Sequence, residues 1–157
     1  MKLNQLAVLF LLGMPPLAFA ATVSCPDLGK AVQVGACPAE EELKHTYTGY
    51  CSDDNKAYKG ETDVCTDYQR YRALKNVALW ESGDGVFSAY VSCDLPAEKL
   101  RGARASAIRV VKQGKMTQLV CSYGGGPAFT WRTRAECKVE AGADCAGDPA
   151  RCKASCE

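Results

Sequence analysis

The alternation of apolar and polar positions changes period near Asn76. From there Val77 to Glu81 and Val86 to Cys93 repeat every second residue and flank Ser82-Gly83-Asp84-Gly85, whose residues tolerate positive φ, which predicts a β-hairpin. On its second strand Phe87, Ala89, Val91 and Cys93 share one face, and Ser88, Tyr90 and Ser92 the other. A three-stranded meander is expected next: Ala107 to Lys112, a turn at Gln113-Gly114-Lys115, Thr117 to Tyr123, a turn at Gly124-Gly125-Gly126-Pro127, then Ala128 to Thr133. Leu119, Cys121 and Tyr123 alternate with Gln118 and Ser122, and Phe129 and Trp131 with Thr130 and Arg132, so the sheet has one apolar face.

Other stretches carry helix signals. Pro38, the acidic run Glu40 to Glu42, then Lys44 and His45 predict a helix of about two turns aligned with its macrodipole. Thr66-Asp67-Tyr68-Gln69 has the form of a capping box, and Tyr68, Tyr71 and Leu74 follow at spacing three, with the tyrosines read as core anchors. Asp94-Leu95-Pro96 opens a short helix ending by Gly102. In the tail, Asp148-Pro149 predicts a helix with Cys152 and Cys156, four apart, on one face. Val23, Val32 and Val34 are placed in short strands. The expected fold is mainly β, an antiparallel meander or a small sandwich or barrel, with a few short helices.

Cysteine content changes that picture from a sheet with a core to a stapled one. Cys25, Cys37, Cys51, Cys65, Cys93, Cys121, Cys137, Cys145, Cys152 and Cys156 make an even set of ten, which reads as a disulfide framework in an oxidising compartment. Loop closure alone favours Cys51 with Cys65 and Cys25 with Cys37, while Cys93 and Cys121, on apolar strand faces, are candidates for burial and for pairing. Residues 1–20 carry Lys2, an apolar run from Leu6 to Leu12 and Ala18-Phe19-Ala20, the features of a signal peptide cleaved before Ala21. Residues 21–157 are then one disulfide-rich domain with a cysteine-rich tail at 137–157, and the location is periplasmic or secreted. Removing Lys2 lowers the 19 Lys plus Arg to 18, equal to the 18 Asp plus Glu. That balance argues against nucleic acid or an anionic membrane surface as partner, and no later segment is apolar enough for stable membrane insertion.

Catalytic chemistry is thin. His45 is the single histidine and lies in a charged stretch without a motif, so no triad or histidine metal site is built on it. The tail cysteines lack the paired two-residue gaps of a zinc ribbon, and no two-residue-spaced pair supports a redox role. No Lys-Ser or Lys-Thr follows Gly124-Gly125-Gly126, so it is a turn and not a phosphate loop. The polar stretch from Cys51 to Cys65 reads as a stapled surface loop, because adjacent Asp53 and Asp54 break a calcium-loop spacing. No cofactor, metal or catalytic residue is assigned. One enzymatic alternative is a carboxylate-based envelope hydrolase, with Glu81 converging on an aspartate of the 53–63 loop.

Leu119-Val120-Cys121-Ser122-Tyr123, Trp131 and Cys137-Lys138-Val139 resemble the closing half of a group of small exported bacterial proteins of unknown function. A fainter resemblance links Ser122, Tyr123, Phe129, Trp131 and Arg132 to the periplasmic inhibitors of c-type lysozyme. In that family a late serine and a basic residue enter the lysozyme cleft. Cys121 and the extra tail cysteines have no counterpart there. The resemblance implies a non-enzymatic protein-binding module, an inhibitor or immunity protein against a cell-wall hydrolase, with Ser122, Tyr123 and Arg132 contacting a protein partner in the envelope. A structural subunit of an envelope assembly is the remaining alternative.

Overall fold

A computed structural model describes residues 20–52, 64–124, 126–140, 144–145 and 148–157. The signal-peptide assignment and the 53–63 loop, with the aspartates expected to face Glu81, lie outside the described residues. Nine strands form two antiparallel sheets among those described. The larger sheet holds β2 (Val32–Gln33), β3 (Val77–Glu81), β4 (Ser88–Ser92), β5 (Ala105–Gln113), β6 (Met116–Tyr123) and β7 (Ala128–Thr133), in the order β2-β3-β4-β7-β6-β5. The smaller has β9 (Lys153–Cys156) between β1 (Ala21–Ser24) and β8 (Cys137–Val139). The mainly β, disulfide-stapled class read from the periodicity is therefore the one observed.

One apolar core joins the sheets. Ile108, Leu119, Cys121 and Phe129 have no exposed surface, and they cluster with Trp80, Phe87 and Val91 of the large sheet and with Cys137, Ala154 and Cys156 of the small one. Phe87, Ala89 and Val91 are buried as their alternation requires, while Ser88, Tyr90 and Ser92 face away. The hairpin loop before them organises itself: the Asp84 carboxylate accepts from the Ser82 hydroxyl and, at 3.1 Å, from the Val86 N–H. Those donors hold the Asp84 carboxyl below its ordinary range. Gly85 turns at φ 72°, and a Cβ on Gly83 would fall 2.7 Å from the Lys30 Cβ, so the loop packs on the 3-10 turn Leu28–Lys30 as only glycine allows.

Five disulfides close the frame: Cys25–Cys121, Cys37–Cys93, Cys51–Cys65, Cys137–Cys156 and Cys145–Cys152. The expected Cys51–Cys65 bridge is present. Cys25–Cys37 is corrected: Cys25 bonds Cys121 in β6 and Cys37 bonds Cys93 just past β4, over separations of 96 and 56 residues, because the packing of segments distant in sequence, and not loop length, brings the sulfurs together. Cys93 and Cys121 are accordingly bonded to these two, not to each other. The tail helix is also corrected. A 3-10 turn, Pro149–Arg151, leads through Cys152 into β9, and Cys152, Ala154 and Cys156 are buried at every second position. A spacing of four puts residues on one face of a strand as well as of a helix, so the cysteine spacing alone did not discriminate.

Two helices pack beside the sandwich. α1 spans Glu40–Cys51, longer than the two turns expected, and α2 spans Tyr68–Lys75. Tyr47 meets Tyr68 and Tyr71 edge-on at 5.4 and 5.2 Å between ring centroids, and donates from its hydroxyl to the Cys65 carbonyl at 2.9 Å. That packing explains the extra length of α1, since tertiary contact extends helices that local propensity leaves short. At the start of α2, the Asp67 carboxylate accepts from the Gln69 N–H, so Asp67 is the cap and not Thr66. Arg72 ties the pair to the sandwich. Its Nε donates to Glu40 at 3.1 Å, and its terminal nitrogens form a two-pronged pair with Asp94 at 2.8 and 3.1 Å. Asp94 leads into α3 (Ala97–Gly102), the short helix expected after Pro96.

Candidate functional site

The face of the large sheet turned away from the core is where the structure concentrates exposed apolar surface. Directly opposed residues of antiparallel strands share a face, so the registers define rows across it. One row runs Val32, Glu81, Ser88, Thr130, Val120 and Arg109; another runs Leu79 and Tyr90 on β3 and β4, with Ala128, Ser122 and Ala107 on β7, β6 and β5. A third places Val111 and Gln118 beside Arg132. Tyr90 is 74% exposed at the centre of this face, with Val32 and Val34 at its β2 edge also open to solvent. Two hollows flank Tyr90. One of about 410 Å³ is lined by Leu79, Val86, Ser88, Thr130, Trp131 and Arg132 among others; the other, of about 370 Å³, by Ser92, Leu95, Gly126 and Pro127 among others.

The hollows lie along a defect in the sheet. β3 and β4 pair over five residues each, and β6 and β7 over six, but β4 and β7 meet at the single pair Ser88↔Thr130. Hydrogen-bond parity shows what this leaves. Cys93 N–H donates to the opposite Asn76 carbonyl, and Ser82 N–H to the opposite Phe87 carbonyl. The intervening bonds to β3 therefore belong to Ala89 and Val91, and the backbone groups of Ser88, Tyr90 and Ser92 point toward β7. On the other side Tyr123 N–H donates to the Pro127 carbonyl, so by the same alternation Ala128, Thr130 and Arg132 point their backbone groups toward β4. Ser88 and Thr130 form a rung, reinforced by the Thr130 hydroxyl donating to the Ser88 carbonyl at 3.3 Å. Tyr90 and Ala128 face each other in the same register without one.

The three residues expected to contact a partner are divided by this geometry. Ser122 and Arg132 lie on the outer face, but in different rows, Ser122 opposite Ala128 and Arg132 opposite Gln118. Tyr123 lies on the core side, 4% exposed, with its hydroxyl donating to the Pro26 carbonyl at 2.6 Å. Burial, and secondarily the charge of Asp27, raise its phenol above the ordinary range, so it stays neutral. Phe129 is fully buried. Tyr90 was legible as outward-facing between Ser88 and Ser92, but nothing local marked it as the centre of a face.

Electrostatically the face is simple. Arg132 is the one charged residue lining the larger hollow, and among the described residues neither it nor Arg109 has a carboxylate within ion-pair distance. Glu81 is half-buried on the same face, in the row of Arg109. His45 is exposed on α1. Among the described residues no group of three His, Cys, Asp or Glu side chains could hold a metal ion, none of the ten cysteines is free, and no helix is long and apolar enough to cross a membrane. The five bridges are compatible with an extracytoplasmic protein. Comparison of the chain with protein-family models, with curated proteins and with solved structures returns no match.

Proposed function

We propose that this protein is a non-enzymatic, periplasmic or secreted protein-binding module, an inhibitor or immunity protein directed at a cell-wall hydrolase. Its contact surface is the outer face of the large sheet. The observation that carries this reading is Tyr90, 74% exposed between two hollows with Arg132 beside the larger one. An aromatic anchor and an arginine on a stiff support are the side chains that dominate protein interfaces. Disulfides add to this by fixing the sheet before contact, which leaves little ordering entropy to be lost on binding.

The test mixes the oxidised protein with c-type lysozyme and with peptidoglycan amidases and follows the turbidity of a cell-wall suspension. Stoichiometric inhibition of at least one enzyme, weakened at least tenfold by Tyr90→Ala and by Arg132→Ala, is the expected result. Undiminished lysis by every enzyme at excess protein defeats the proposal.

A further inference from the structure

The even balance of charge over the whole chain conceals a division along it. From Lys99 to Ala135 there are eight lysines and arginines and no aspartate or glutamate. That stretch contains the whole of β5, β6 and β7, so one half of the large sheet is basic throughout. On its outer face the register sets Arg109 in line with Val120 and Thr130, and Arg132 one row further along, opposite Gln118. Both arginines are exposed. So are Lys115, in the turn between β5 and β6, and Arg134, just past β7, at the same end of the sheet.

Val120 shows how these side chains lie. It is 5% exposed, although it points away from the interior and takes no part in the apolar cluster that joins the two sheets. Its neighbours on the outer face are Arg109 and Thr130 in the same row, with Gln118, Ser122 and Arg132 next to them. Arginine stems laid over a valine keep it dry and hold the guanidinium heads in water at its rim. The acids close by do not neutralise those heads: Glu136 is bonded to Lys112, and Glu81 stands four strands from Arg109 along its row.

We infer that the β5–β7 half of the outer face is an arginine clamp for an acidic patch on the protein partner, with Arg109 and Arg132 each taking a carboxylate. The inference deepens the protein-binding reading and rests on it. Charge complementarity fixes the sign of the partner's patch, and the planar fork of arginine suits a carboxylate accepting two parallel hydrogen bonds. The two arginines stand two strands and one two-residue step apart, about 12 Å at sheet spacing, a distance that two carboxylates of one surface span. Phosphate groups suit the same fork, but the other half of the face argues for a polypeptide. There Tyr90, Val32 and Val34 are open to solvent, and a phosphate polymer has nothing apolar to set against them. A protein surface with acids bordering apolar side chains meets both halves at once.

The experiment uses the oxidised protein and a capped peptide, Leu-Phe-Leu followed by four glutamates. The controls are the same peptide with four glutamines and a polyphosphate of matched charge. Amide chemical shifts are followed through titrations at about 50 mM and about 200 mM salt. The glutamate peptide should move the Tyr90, Arg109, Val120 and Arg132 amides, bind at least tenfold tighter than the glutamine peptide, and lose at least threefold in affinity at the higher salt. Arg109→Gln and Arg132→Gln should each weaken it at least threefold with the far-ultraviolet spectrum unchanged, while Lys138→Gln, on the small sheet, should not.

Equal binding of the two peptides would overturn the inference. So would tighter binding of polyphosphate than of the glutamate peptide, or a concentration-dependent mass showing that a second copy covers the face. The two proposals fail separately. Glutamate-selective binding without inhibition of any hydrolase removes the inhibitor reading and keeps the clamp. Inhibition indifferent to salt and to Arg109→Gln keeps the inhibitor reading and removes the clamp.

Discussion

In the sandwich, Ile108, Leu119, Cys121 and Phe129 are wholly shut off from water, and two bridges with separations of 96 and 56 residues tie distant parts of the chain together. In the α1–α2 pair only Leu43 and Tyr71 are buried, one bridge closes a separation of 14, and much of the remaining hold is a tyrosine cluster and the polar knot around Arg72. Tyrosine supplies apolar area while its hydroxyl stays satisfied, as Tyr68 does by donating to Glu40 at 2.7 Å, so a layer too thin for a dry core can still pack. The contrast teaches that one small protein can contain two grades of cohesion, and that the weaker one should open while the stronger stays closed.

The heaviest blow to the sandwich is removal of its longest bridge. Cys25→Ala with Cys121→Ala should cost about 4–5 kcal/mol in denaturant unfolding, the scale for closing a loop of roughly a hundred residues. If the loss stays confined to the helices, the division drawn above is wrong. Next comes Phe129→Ala, expected to cost about 3–5 kcal/mol and to raise hydrogen exchange throughout the large sheet.

On the weaker side, Cys51→Ala with Cys65→Ala should cost about 3 kcal/mol, the scale for a loop near fifteen residues. Exchange should rise in 40–52 and 68–75 while the amides of Ile108 and Leu119 stay protected; equal loss in both regions would merge them into one unit. The mildest change is acid. Glu40, through its Tyr68 and Arg72 hydrogen bonds, and Asp94, through its Arg72 hydrogen bonds, are held below their ordinary pKa, so the unfolded chain takes up protons first. Their contribution is complete above about pH 5 and fades as the pH falls through the lowered values. Near-ultraviolet circular dichroism of the tyrosines should therefore weaken on acidification before the sheet does, and Arg72→Met should flatten that dependence. At the alkaline end, burial and then the bond to Glu40 push the Tyr68 phenol up to about 12, so its share of stability is lost as pH rises from about 10 to about 12.

How much of this was readable in the residues follows from the range of the forces. β3, β6 and β7 appear within two residues of their expected bounds because one face of each is buried, and burial writes a period of two into the chain. Cys51–Cys65 was readable because α1 and α2 are neighbours in sequence as well as in space. Cys25 and Cys37 misled for the opposite reason: their partners are set by which strand lies over which, and no local pattern encodes that. The site divides the same way. Alternation separates Ser122 and Arg132 from Tyr123, yet Tyr123 was grouped with them as a partner contact, and its burial at 4% exposure removes it from that set; the missing rungs between β4 and β7 arise from two strands forty residues apart and leave no mark in either.

The smaller sheet has a consequence for how the molecule is made. β1, near residue 21, pairs with β9, whose last residue is Cys156, so as the chain emerges amino end first the earliest of the described strands waits for the latest of them. Meanwhile Cys25 and Cys37 are the first two thiols to appear, twelve residues apart, and an oxidant acting on arrival would join them wrongly. Reaching the Cys25–Cys121 and Cys37–Cys93 pairs then calls for a catalyst that reshuffles bonds, and a cell with an oxidase but no disulfide isomerase should accumulate the scrambled form.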